Sequence, residues 1–241
     1  MDPSLYVILD RSAARGRDLE EILDATIAGG CRLVQLREKE WPTGRLLPLA
    51  ERLRERCRRA GVTFIVNDRV DLAVAVGADG VHLGQDDLPP RAARQILRPG
   101  MVLGRSTHSV AQARAAQAEG ADYIAVGSMF PTQTKPDFEL VGPELIRAVR
   151  PETKAPLVGI GGVTRENVAQ VIRAGADGVA VISAVCGAPD PAAATREFLA
   201  AIRAERDLTR RASLYCRRAD RHSARDRRDR TLQWCAQAVA G

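Results

Sequence analysis

Three times along this chain a helical stretch runs into Gly-Ala-Asp and then straight into an apolar run: Gly77-Ala78-Asp79-Gly80-Val81, Gly120-Ala121-Asp122-Tyr123-Ile124 and Gly175-Ala176-Asp177-Gly178-Val179. Glycine accepts the left-handed conformation that ends a helix, and the short Ala-Asp link then turns the chain into a sheet. The echo belongs to a longer alternation. Strands are expected near Leu5–Leu9, Arg32–Leu36, Thr63–Val66, Gly80–Leu83, Val102–Gly104, Tyr123–Val126, Leu157–Ile160 and Gly178–Ile182. Helices are expected over Asp18–Ala28, Thr43–Ala60, Pro89–Leu97, Val110–Glu119, Pro143–Val149, Arg165–Ala174 and Pro191–Glu205, with Ser109 and Thr164 as N-caps and Pro143 and Pro191 in first turns. Repeated βα units build a parallel sheet. Eight strands predict an α/β fold, a single (β/α)8 TIM barrel over residues 1–205.

A length of 241 residues, 45% hydrophobic but only 4% aromatic, suits one such core of aliphatic side chains. The net charge of +6 suggests a polyanion partner until it is located. Between Arg203 and Arg230 stand 11 arginines against 5 acidic residues, and everything before is balanced at 25 of each. The barrel region therefore has no electrostatic reason to bind nucleic acid, although local cations could hold a small phosphate ester. Residues 206–241 read as an Arg-rich, solvated and inert tail. The five cysteines, Cys31, Cys57, Cys186, Cys216 and Cys235, lack CxxC spacing and suggest neither a disulfide framework nor a zinc site. No run approaches the roughly 20 apolar residues that span a bilayer, so a cytoplasmic protein is expected.

In a parallel barrel, function gathers at the carboxyl ends of the strands. Those ends are loaded here. Gln35-Leu36-Arg37-Glu38-Lys39 finishes the second strand, Asn67-Asp68 the third, Gly84-Gln85-Asp86-Asp87 follows the fourth, Thr132-Gln133-Thr134-Lys135 follows the sixth, and Gly161-Gly162 closes the seventh. Asp68 and Asp87 on neighbouring loops could hold Mg²⁺ with phosphate oxygens and water. Alternatively each could cap the helix that follows it, and either Asp86 or Asp87 could be the one that points inward. Arg37, Lys39 and Lys135 would surround that point with fixed cations, and Gln35 and Asn67 could bond a polar heterocycle or a phosphate. Gly162 with Ile182 and Ser183 offers backbone N–H groups and a hydroxyl to an anion at the seventh and eighth strands. His82 and His108 form no HxxxH pattern and are expected to support the site rather than bind metal.

Taken in order, Gln-Leu-Arg-Glu-Lys at 35–39, Asn-Asp at 67–68, His-Leu-Gly-Gln-Asp-Asp at 82–87, Gly-Arg-Ser-Thr-His at 104–108, Pro-Thr-Gln-Thr-Lys at 131–135, Gly-Ile-Gly-Gly-Val at 159–163 and Val-Ile-Ser at 181–183 closely resemble the thiamine-phosphate synthase family over roughly Leu5 to Ile202. The resemblance implies a TIM barrel that joins hydroxymethylpyrimidine diphosphate to thiazole phosphate, giving thiamine phosphate and pyrophosphate. It further implies that Gln35, Leu36, Arg37, Glu38, Lys39 and Asn67 hold the pyrimidine diphosphate, that Asp68 and Asp87 ligate Mg²⁺, and that Ser106 contacts the pyrimidine. Thr132, Gln133, Thr134, Gly162, Ile182 and Ser183 would hold the thiazole phosphate, with Lys135 on the diphosphate. Arg37, Lys39 and Lys135 would be catalytic through charge stabilisation, and no protein nucleophile is needed. The implied partners are the two small substrates, with no membrane or nucleic acid and a homo-oligomer left open. Two rivals remain, a thiazole tautomerase and a non-catalytic thiazole-phosphate sensor. The tautomerase would need the phosphate loops without the full diphosphate and metal set, and the sensor would touch a regulatory partner through its basic tail.

Overall fold

The computed structural model describes residues 1–132 and 140–209, and the chain divides into two units, Met1–Ile202 and Arg203–Gly241. The first unit is a closed barrel of eight parallel strands in chain order. These are β1 Leu5–Asp10, β2 Leu33–Arg37, β3 Thr63–Asn67, β4 Gly80–Leu83, β5 Val102–Thr107, β6 Tyr123–Val126, β7 Leu157–Ile160 and β8 Gly178–Val181. Around them run α1 Arg11–Ala14, α2 Leu19–Ala28, α3 Thr43–Ala60, α4 Val70–Ala75, α5 Pro90–Ile96, α6 Val110–Ala118, α7 Gly142–Val149, α8 Val168–Arg173, α9 Ser183–Cys186 and α10, helical over 191–202. In the second unit residues 203–209 are helical, and the remainder of the expected tail, with Cys216 and Cys235, lies outside the described residues.

Strand alternation sorts the core into two layers. Tyr6, Ile8, Leu33, Ile65, Tyr123, Val158 and Ala180 fill the barrel. The intervening residues, Val7, Leu9, Val34, Leu36, Phe64, Val66 and their like, pack outward against the helices with Leu23, Leu53, Ile146 and Val171. Gly159 permits one close approach in that outer layer, since a Cβ there would lie 2.3 Å from Val171 Cγ1.

The Gly-Ala-Asp echo has a definite job at the amino ends of the strands. Gly77, Gly120 and Gly175 have φ of 63°, 90° and 108°. The aspartate that follows each reaches across to the neighbouring strand and accepts its N–H: Asp79 from Phe64 at 2.8 Å, Asp122 from Leu103 at 2.7 Å, Asp177 from Leu157 at 2.8 Å. Arg54, Arg94 and Arg150 pair with the three carboxylates in turn. A fourth copy precedes β2 in altered letters, with Gly30 at φ 101° and Arg32 in place of the aspartate.

Ser109 caps α6 as expected, its Oγ accepting from Gln112 N–H at 3.2 Å. Thr164 does not cap α8. Its N–H bonds Asn167 Oδ1 at 2.8 Å while Asn167 Nδ2 bonds the Gly162 carbonyl at 3.0 Å, so this local knot delays the helix to Val168.

Candidate active site

At the carboxyl end of the barrel lies a cavity of about 400 Å³, floored by Tyr6, Ile8, Gln35 and His82 and walled by residues from the strand-end loops. The register aligns the chemistry around its rim: Arg37 stands beside Asp10, Asn67 beside His82, and Ser106 beside Ala125.

One wall is ionic. Arg37, largely buried, pairs with the buried Asp10, whose other carboxylate oxygen accepts the Ala13 N–H at 3.1 Å. Burial opposes the Asp10 charge, but Ser12, the Ala13 N–H and Arg37 together hold the carboxyl below its ordinary value. Arg37 Nε is buried with no hydrogen-bond partner. Lys39 pairs with Asp68, a non-glycine residue held at φ 60°. Asp68 and Asp87 both line the cavity, and each carboxyl shifts the other's proton affinity. Burial, then Asp87, hold the Asp68 carboxyl above its ordinary value against the pull of Lys39. At Asp87 burial is outweighed by hydrogen bonds from Asp68 and Gly84 N–H and by the charges of Lys39 and Arg105, so its carboxyl sits low.

Neither aspartate is a helix cap. The N-cap positions of α4 and α5 are Arg69 and Pro89, with no side-chain cap bond at either, and Asp87 Oδ2 instead accepts the Gly84 N–H at 2.7 Å. Two carboxylates held face to face repel unless a proton or cation lies between them. An all-oxygen pair of this kind suits a hard divalent ion completed by phosphate oxygens and water. Among the described residues no set of three His, Cys, Asp or Glu side chains could hold a metal unaided, so Asp86, although it lines the cavity, does not complete one.

The opposite wall is backbone. Gly161 and Gly162 have φ of 98° and 62° and press against the β6 loop: Phe130 N–H bonds the Gly161 carbonyl at 2.9 Å, and a Cβ on Gly162 would lie 2.5 Å from the Pro131 carbonyl oxygen. Ile182, Ser183 and Ala184, at the junction of β8 and α9, complete this side with Thr132 and Ser128. N–H groups of a first helical turn have no partner within their helix and suit a phosphate.

A family model described as thiamine monophosphate synthase (TMP-TENI) matches residues 5–185. The chain belongs to the thiamine monophosphate synthase family. It is 50% identical over 195 residues to thiamine-phosphate synthase of Moorella thermoacetica, covering 80% of this chain and 93% of that protein. It is 51% identical over 201 residues to the bifunctional ThiM/ThiE protein of Symbiobacterium thermophilum, covering 83% of this chain but 41% of that longer protein. The solved thiamine phosphate pyrophosphorylase of Pyrococcus furiosus superposes with a TM-score of 0.78 at 38% identity, over 85% of this chain and 97% of that one.

Within this family fold the cavity gathers Gln35, Arg37, Lys39, Asn67, Asp68, Asp87, Ser106, Thr132, Gly162, Ile182 and Ser183. Two expected residues stand elsewhere. Leu36 faces the helices in the outer core, because its neighbours Gln35 and Arg37 take the inward positions of β2. Glu38 shapes the β2–α3 loop, accepting from Arg11 Nε at 2.7 Å and from the Glu40 N–H at 2.7 Å, while Trp41 beside it lies 3.8 Å beneath the Arg45 guanidinium. Gln133, Thr134 and Lys135 lie outside the described residues. The sequence reading did not place Tyr6, Gln112 or Ser128 at the cavity. Tyr6 lies on β1, Gln112 on α6 and Ser128 in the loop after β6, and only the closed barrel brings them together.

Proposed function

We propose that this chain condenses 4-amino-2-methyl-5-(diphosphooxymethyl)pyrimidine with thiazole phosphate, forming thiamine phosphate and releasing pyrophosphate, as a Mg²⁺-dependent transferase of the cytoplasm. The observation that carries the reading is the facing of two chemistries across one cavity: Arg37, Lys39 and the Asp68–Asp87 pair on one side, the Gly161–Gly162 turn with Ser183 on the other.

Arg37 and Lys39 lie on the side that the diphosphate would take, where fixed cations stabilise charge as it develops on the leaving group. Asp68 and Asp87 would hold Mg²⁺, and the ion supplies charge neutralisation on the departing phosphates. Gln35 and Ser106 lie deeper and would orient the aminopyrimidine, whose electron-rich ring delocalises the positive charge left on its methylene carbon. Gly162, Ser183 and Thr132 would hold the thiazole phosphate so that the ring nitrogen faces that carbon. The C–O bond breaks with its electron pair leaving on pyrophosphate, and the thiazole nitrogen lone pair then forms the new C–N bond at that carbon. Catalysis is then positioning and charge stabilisation. A tautomerase or a sensor gives no account of the cation and carboxylate wall.

Calorimetric binding tests the division of the site. The pyrimidine diphosphate should bind at least tenfold more weakly with chelator than with Mg²⁺, and thiazole phosphate should bind equally in both. Metal-independent binding of the diphosphate would remove the assignment of Asp68 and Asp87.

A further inference from the structure

Beneath the substrate positions the barrel floor holds a line of polar groups whose three middle members, Tyr6, Tyr123 and His82, no proposed step uses. Gln35 Nε2 lies 2.6 Å from Tyr6 Oη, Tyr6 Oη 2.9 Å from Tyr123 Oη, Tyr123 Oη 2.9 Å from His82 Nδ1, and His82 Nε2 2.9 Å from Ser106 Oγ. The two tyrosines are 1% and 0% exposed, so each hydroxyl depends on its neighbours in the line for partners. Burial pushes both hydroxyls above their ordinary value, which keeps their protons in place.

Such a line has a direction. An amide nitrogen only donates, so Tyr6 accepts from Gln35 and sends its own proton to Tyr123. Tyr123 would then donate to His82 Nδ1, His82 would carry its proton on Nε2, and Ser106 Oγ would accept it. Ser106 is left to turn its hydroxyl proton to the cavity, while at the other end the Gln35 amide oxygen is left as an acceptor. A second observation is independent of these distances. Gly104 on β5 has no side chain where the line crosses, and a Cβ there would lie 2.3 Å from Tyr123 Oη and 2.5 Å from His82 Nδ1.

We infer that Tyr6, Tyr123 and His82 are positioning residues that fix the Ser106 hydroxyl as a donor and the Gln35 amide oxygen as an acceptor, selecting a heterocycle that carries an acceptor ring nitrogen and a donor amino group. The ligand half of this inference rests on the proposed function. The direction of the line does not.

Long-range ¹H–¹⁵N correlation spectra of the full chain read that direction from the His82 ring, assigned by its loss in His82→Gln. The expected result is the Nε2–H tautomer in wild type and a mixture of tautomers in Tyr123→Phe. An Nδ1–H tautomer in wild type, or a tautomer unmoved by Tyr123→Phe, overturns the inference whether or not the chain binds a pyrimidine. In the same variant the Kd for the pyrimidine diphosphate should rise about tenfold, the worth of one well-made hydrogen bond, with that for thiazole phosphate within twofold of wild type. Equal weakening of both ligands would mean a merely structural role. Should Tyr123→Phe not fold, Tyr6→Phe cuts the same line one link earlier and carries the same expectations.

Discussion

Arg105, on the helix-facing side of β5, donates from its guanidinium to the Gln85 carbonyl at 3.3 Å, and equally to that of Leu88 at 3.3 Å. It is 8% exposed, and burial lowers its pKa, which the charges of Glu119, Asp87 and Asp86 oppose. Those two carbonyls bracket Asp86 and Asp87. A buried cation behind the β4 loop therefore fixes the position of a carboxylate in front of it.

Replacing Arg105 by Gln should loosen that loop and weaken pyrimidine diphosphate binding in Mg²⁺ by roughly fivefold to tenfold, the worth of one ordinary net hydrogen bond. Thiazole phosphate, held on the other wall, should bind as before. Calorimetry with each substrate separately checks the split, and equal loss of both would remove the positioning role.

Gly162→Ala places a Cβ 2.5 Å from the Pro131 carbonyl and asks alanine to hold φ 62°. A backbone carbonyl cannot swing aside like a side-chain tip, so the turn itself must move. The KM for thiazole phosphate should rise more than tenfold while the far-UV circular dichroism spectrum stays that of wild type. An unchanged KM would place the phosphate elsewhere.

At the other end of the barrel, Asp122→Ala leaves the Leu103 N–H without its 2.7 Å acceptor and Arg94 without its carboxylate. The cost should be about 1–2 kcal/mol of folding stability, with kinetic constants unchanged, since this face is far from the strand carboxyl ends. Urea denaturation and steady-state assays on the same preparation separate the two effects.

The Asp10–Arg37 pair gives a dependence on pH with a definite sign. Its partners lower the folded-state pKa of Asp10. The stability it contributes is thus complete above the unfolded value of about 3.9 and is lost as pH falls through the lower folded value. Asp10→Asn should cost about 3 kcal/mol at neutral pH by leaving Arg37 unpaired, the low end of the cost of breaking a buried pair because Arg37 also lines the cavity. The gap from wild type should begin to narrow in melts below pH of about 4 and close only below the lower folded value. A gap that persists in acid would mean that packing, not charge, holds the pair.

The strands were legible because each is a short apolar run bounded by glycine or a polar cluster, and the helices α2, α3 and α6 because their apolar positions recur at helical spacing. The short helices α1 and α9 carry too few residues for any period and follow from how β1 and β8 end. Of the site, the motif residues were visible as polar groups stacked at strand ends. Direction was harder to see: Leu36 and Glu38 share a motif with Gln35 and Arg37, yet alternation along β2 sends one outward and the loop turns the other aside. The line from Gln35 to Ser106 could not be read from local pattern, because its members come from β2, β1, β6, β4 and β5 and meet only in the closed barrel.

The most direct measurement is the joint appearance of thiamine phosphate and pyrophosphate from the two purified substrates, with Mg²⁺ and with chelator, in wild type beside Asp68→Ala. Equal amounts of both products in wild type, abolished by chelator and lowered on the order of 10²–10³-fold in the variant, are the predicted result. A folded wild-type chain that binds thiazole phosphate and forms neither product, or an Asp68→Ala variant with full Mg²⁺-dependent turnover, would contradict it.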